Sequence, residues 1–84
     1  MTSVTVDDSG GDGIFVVSVV GAFPASMGTL LVSSSSTQGV SSNINTTGTI
    51  DSWTTSQIDF TVQTFNVVTG VLDGDDFSFV LLGS

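Results

Sequence analysis

Between Ile50 and Val62 the chain reads Ile-Asp-Ser-Trp-Thr-Thr-Ser-Gln-Ile-Asp-Phe-Thr-Val, and its alternation points to a β-hairpin. Ile58, Phe60 and Val62 alternate with Asp59, Thr61 and Gln63, the period-two pattern of a strand with one face in a core and the other in water. Ile50 to Trp53 forms a shorter run before it, and Thr54 to Gln57 supplies turn-forming hydroxyls between the two. This reading assigns Ile58, Phe60 and Val62 to the core. It puts Asp51 and Asp59 on the solvent face, where charge discourages edge-to-edge pairing.

The flanking sequence extends the same pattern. Thr2 to Val6 alternates hydroxyl and apolar residues as a short first strand, and Asp7-Asp-Ser-Gly-Gly-Asp-Gly13 is a loop, because glycine admits positive φ and aspartate bonds its own turn backbone. Ile14 to Val20 is apolar on both faces except for Ser18. That suits a strand covered twice, by the core and by a neighbouring chain or long loop, and it makes Val16 and Val20 interface candidates. Gly21 to Gly28 breaks the pattern around Pro24, Thr29 to Ser33 returns to strand, and Ser33 to Gly39 is a hydroxyl-rich connection. Val40 to Thr47 reads as an edge strand, with Gly48 leading into the hairpin. Phe65 to Leu72 reads as a further strand, interrupted by Asn66 and Thr69 and weakened by Gly70. Asp73-Gly-Asp-Asp76 is a tight acidic turn of the kind that closes hairpins. Phe77, Phe79 and Leu81 then point into the core, with Ser78, Val80 and Leu82 on the other side.

Roughly six to seven short strands divided by Gly, Ser and Asp turns, with no helical spacing over three turns, indicate a single all-β sandwich or small barrel spanning residues 1–84. A core of this size is marginal unless its packing is very good or neighbours help. The chain has no Cys and no His, so neither disulfides nor the usual zinc ligands contribute.

Charge narrows the function classes further. The chain carries eight Asp, no Lys and no Arg, for a net charge of −8. A surface without cations cannot neutralise phosphates, which excludes nucleic acid and anionic membranes as direct partners. It favours cations or basic protein surfaces instead. Mean hydropathy is nonetheless +0.48, high for a domain that must also expose this much acid, and exposed apolar area marks interfaces. Residues 1–13 hold Asp7, Asp8 and Asp12 with no positive segment, so they do not read as a secretory signal. The longest nearly apolar run, Ile14 to Phe23, is too short to span a bilayer.

Three passages together resemble the IPT/TIG branch of immunoglobulin-like domains. Val4 to Gly13 is similar to the family's opening strand and glycine-bearing loop, and Phe15 to Phe23 to its central strand ending in a Gly-x-Phe corner. Ile50 to Val62 is similar to the passage in which a Ser-Trp-Ser/Thr turn precedes an Ile-x-Phe/Val-x-Val strand. Gln63 stands where the family usually carries proline, and Thr64 to Asp76 departs from its usual return. The resemblance implies an immunoglobulin-like β-sandwich serving as a spacer or interaction module, with no catalytic residue to carry over. A small chain that is hydrophobic yet acidic and without thiols, taken with that fold, suits a multi-copy virion component, above all a bacteriophage capsid decoration (cement) protein, with a tail or fibre subunit as alternative. The implied partners are protein subunits of a large assembly, homo-oligomeric or in many copies.

Candidate sites are few. Asp7, Asp8 and Asp12 in one loop and Asp73, Asp75 and Asp76 in another offer carboxylates and carbonyls that calcium could use. Their spacing does not match an EF-hand, and ordinary turn formation explains them better. No other cofactor is implied. Catalysis is not expected, because no His, Lys, Cys, Tyr or Arg is present to activate a nucleophile or orient an aspartate. Trp53 and Phe23 are the aromatic interface candidates. An exposed Trp53 would support an adhesion or carbohydrate-binding module at the cell surface, whereas a buried one would support a scaffold. Asn45-Thr-Thr47 matches a glycosylation acceptor, which carries no weight without export.

Overall fold

The computed structural model describes residues 2–8, 13–34, 44–74 and 77–83. Six strands follow in order: β1 (Ser3–Asp7), β2 (Ile14–Val20), β3 (Thr29–Ser34), β4 (Ile44–Trp53), β5 (Gln57–Asn66) and β6 (Phe77–Leu82). They form a small all-β sandwich of two antiparallel sheets, β1-β2-β5-β4 and β3-β6.

Register explains which residues go inside. Residues directly opposite in an antiparallel pair share a face, so Val4, Val19, Ile58 and Trp53 make one inward row, and Val6, Val17, Phe60 and Ile50 make the next. Phe15, Val62 and Gly48 make a third. Among the described residues the buried apolar side chains lie on the two middle strands: Val17 and Val19 on β2, and Ile58, Phe60 and Val62 on β5. From the second sheet, Phe77 packs on Phe15 at 5.1 Å between ring centroids, and Phe79 on Phe60 at 4.9 Å. Phe77, Phe79 and Leu81 are thus half-buried residues packed against the core. Gly48 lets the sheets approach, since a Cβ there would lie 2.9 Å from both Leu30 Cδ2 and Val32 Cγ1.

A β-bulge between Ile50 and Ser52 decides the fate of Trp53. Residues three apart point to opposite faces of a regular strand. The extra residue, Asp51, restores parity, so Ile50 and Trp53 both face inward. Thr61 Oγ1 donates to the Asp51 carboxylate at 2.6 Å on the outer face.

Several expectations from the sequence are corrected. The edge strand of 40–47 and the first hairpin arm are one ten-residue strand, β4, running through Gly48. Here the glycine serves sheet-to-sheet contact rather than a strand break; residues 40–43 lie outside the described residues. Phe65 to Leu72 is not a separate strand. β5 continues to Asn66, the chain turns at residues 67–69, and a single Phe65–Leu72 bridge closes the turn. Consequently the acidic turn does not join a hairpin: β6 pairs with β3, from Thr29 opposite Leu82 to Ser34 opposite Phe77. A local Asp-Gly signal lost to the apolar faces of β3 and β6, which need each other to cover the core. Smaller shifts move β1 to Ser3–Asp7 and extend β3 to Ser34. Among the described residues no helix is long and apolar enough to cross a membrane.

Candidate functional site

The proposed interface residues fall into two separate places. Val16 and Val20 are 40% and 44% exposed on the outer face of the four-stranded sheet. Their cross-strand neighbours are Asp7 and Thr61 for Val16, and Ser3 and Gln57 for Val20. Across the strands each meets only polar residues, and along β2 Val16 has Ile14 two residues away on the same face, a small apolar area that is ordinary for a protein surface. Among the described residues, nothing apolar lies across from Val16 or Val20 to cover the outer face of β2.

Trp53 and Phe23 meet at one corner of the sandwich. The Thr54 hydroxyl donates to the Gln57 carbonyl at 2.8 Å and accepts the Gln57 N–H at 2.9 Å, closing the turn after β4. That turn in turn holds the segment after β2, because Phe23 N–H donates to the Thr55 carbonyl and Gly21 N–H to the Ser56 carbonyl. Phe23 is thereby set edge-on to Trp53, with centroids 6.2 Å apart and planes at 61°. The Trp53 indole N–H donates to the Pro24 carbonyl at 2.8 Å. Trp53 is half-buried against the core. Its polar handle is committed within the fold, which suits a corner pin better than a sugar platform.

The two acidic loops converge, but through backbone chemistry. Thr64 is fully buried on the inward face of β5 and its groups are all satisfied: its N–H donates to the Gly13 carbonyl, its carbonyl accepts the Asp73 N–H, and its hydroxyl donates to the Asp73 carbonyl at 2.6 Å. Gly13 has φ +85° and a Cβ there would lie 2.6 Å from the Thr64 carbonyl oxygen, so the position admits only glycine. Asp7, Asp8 and Asp73 are exposed near this end. Asp12, Asp75 and Asp76 lie outside the described residues, and among the described residues no group of three carboxylates is placed to hold a metal ion. Sequence reasoning missed Thr64, although continuing the parity of Ile58, Phe60 and Val62 by two residues reaches it.

An exposed apolar face on the second sheet was also missed. On the outer side of β3-β6, Leu31 (53% exposed) lies opposite Val80 (52%), and Leu82 (47%) lies opposite Thr29. With Ser33 opposite Ser78, the face carries no charged residue. A shallow depression of about 150 Å³ is lined there by Leu31, Val32, Ser33, Ser78, Phe79 and Val80. The signal was present in the continuous apolarity of Phe79 to Leu82. No protein-family model, curated protein or solved structure matches the chain.

Proposed function

We propose that the chain is a non-enzymatic structural protein of a large assembly, a bacteriophage capsid decoration (cement) protein built on an IPT/TIG-like immunoglobulin sandwich. The observation that carries this reading is the uncharged apolar face of β3-β6, with Leu31, Val80 and Leu82 about half in water. Among the described residues five buried apolar side chains make a small core, and a surface that neighbours cover in the assembly would add the stability that such a core lacks. A net charge of −8 without any cation keeps the protein off packaged nucleic acid and suits the outside of a shell. A glycan-binding role would centre on Trp53, whose N–H is held by Pro24; binding of an oligosaccharide lost in Trp53→Ala would favour that rival.

Co-sedimentation with capsids stripped of the protein tests the reading. Wild type should bind saturably at a fixed ratio to shell subunits. Val80→Asp should weaken binding at least about tenfold, the cost of burying one unpaired charge at an interface, while the melting temperature holds. A wild-type protein that stays monomeric and binds no particle, or a Val80→Asp protein that binds as well as wild type, overturns it.

A further inference from the structure

The turn after β5 is built unlike an ordinary surface turn. Turn tips are commonly Gly, Asn, Asp or Ser, which satisfy their own backbone and tolerate water. Here the tip displays Val67, Val68 and Val71 at 51%, 73% and 63% exposure. Its backbone is nevertheless firmly held. Asn66 Oδ1 accepts the N–H groups of Val68 at 2.9 Å and Thr69 at 3.3 Å. Gly70 N–H donates to the Asn66 carbonyl at 2.7 Å, and Asn66 N–H to the Val71 carbonyl at 2.9 Å. The Thr69 hydroxyl accepts the Val71 N–H, and Gly70 takes φ +73°. None of the three valines belongs to the core cluster. Folding thus fixes the backbone that presents three exposed valines, which is the preorganisation that lowers the cost of binding.

Charge selects the occupant. Asp73 follows the turn directly, and a Cβ on Gly13 would lie 3.2 Å from Leu72 Cβ. Gly13 leads into β2 beside Val16, which faces Asp7 across the β1–β2 pair, so Asp7 and Asp8 share this end. No Lys or Arg exists anywhere in the chain to offset them. A second copy would bring like charge to like charge, and an anionic membrane would do the same. We infer that the Val67–Val71 turn is a docking knob for a different protein, one presenting an apolar pocket rimmed by Lys or Arg.

This deepens, and rests on, the reading of the chain as an assembly component, and the two fail separately. The test uses the full ¹⁵N-labelled chain and a cationic amphipathic peptide of alternating Leu and Lys. Amide shifts should saturate at residues 67–72 and at Asp7, Asp8 and Asp73, and affinity should fall about tenfold between 50 and 300 mM NaCl as screening grows. Val68→Asp should lose the response while the rest of its spectrum is unchanged, and a Leu-Glu peptide should give none. The inference is overturned by a silent turn, by an equal response to the Leu-Glu peptide, by turn shifts with phosphatidylcholine vesicles, or by turn shifts that follow protein concentration alone. Capsid binding with a silent turn overturns this inference only; a responsive turn in a protein that binds no capsid supports it and overturns only the capsid reading.

Discussion

β5 and β6 are both apolar period-two strands, yet they end in opposite surroundings. β5 has β2 on one side, β4 on the other and β6 above it, and Ile58, Phe60 and Val62 are fully buried. Among the described residues β6 has only β3 beside it, its inward Phe77, Phe79 and Leu81 are half-buried, and its outward Val80 and Leu82 stand half in water. The second sheet also stops short of β1, whose inward Val4 and Val6 are both 51% exposed. The difference separates two uses of apolar surface. On β5 it stabilises the isolated chain; on the outer face of β6 it stays half in water and adds little to that stability.

The largest expected effect tests this division directly. Phe60→Ala removes a fully buried ring that also loses its contact with Phe79, and should cost about 3–5 kcal/mol, most or all of the stability a domain this small possesses. Val80→Ser on the outer face of β6 should change stability by no more than about 0.5 kcal/mol. Urea denaturation of both variants measures the contrast. Comparable losses would mean that the β6 outer face belongs to the fold's own energetics after all.

An intermediate effect probes the seam between the sheets. Gly48→Ala would gain from reduced unfolded-state entropy but must push Leu30 and Val32 away from β4, for a net loss of about 1 kcal/mol. The same substitution should cost less in a Val32→Ala background, because the trimmed side chain leaves room for the new methyl. A double-mutant cycle showing no coupling would place the close approach of β3 elsewhere than at Gly48.

How far the sequence revealed this arrangement depends on the range of the interaction. The core of β5, the bounds of β2 and β6 and the inward set Phe77, Phe79 and Leu81 follow from parity, a property of neighbouring residues. The pairing of β6 with β3 does not. Asp73 and Gly74 signal a local hairpin, whereas the winning contact joins segments more than forty residues apart and is chosen by what covers Phe60 and Phe15. The Asp51 bulge is equally silent in sequence, since Trp53 inside and Trp53 outside fit the same four letters. At the candidate site, Val16 and Val20 were legible as apolar residues on a doubly apolar strand, but only the register shows polar residues opposite each of them on both neighbouring strands. The valine turn was obscured because Phe65 to Leu72 has strand composition; Asn66 and Gly70, the residues that hold the turn, were the signals to weigh more heavily.

The smallest effect concerns charge, and again divides the two sheets. The Asp59 carboxylate on the outer face of β5 accepts a hydrogen bond from Gln57 Nε2 at 2.9 Å. That bond, and after it one from Ser18, holds the Asp59 carboxyl below its ordinary range, with slight desolvation opposing them. A depressed folded-state value favours the ionised form in the folded protein. Its contribution to stability is therefore complete above the ordinary carboxylate range and disappears as pH falls through the folded value. Asp59→Asn keeps the shape without the charge, so wild type should melt slightly higher than the variant at neutral pH, and the gap should close on acidification. Relief of repulsion among the other aspartates acts on both proteins and largely cancels in the difference. Val80→Ser, on a face with no charged residue, should show a pH-independent offset from wild type. A gap for Asp59→Asn that widened in acid would reverse the sign of the Gln57 and Ser18 contributions, and one that stayed constant with pH would leave the outer face of β5 as electrostatically indifferent as that of β6.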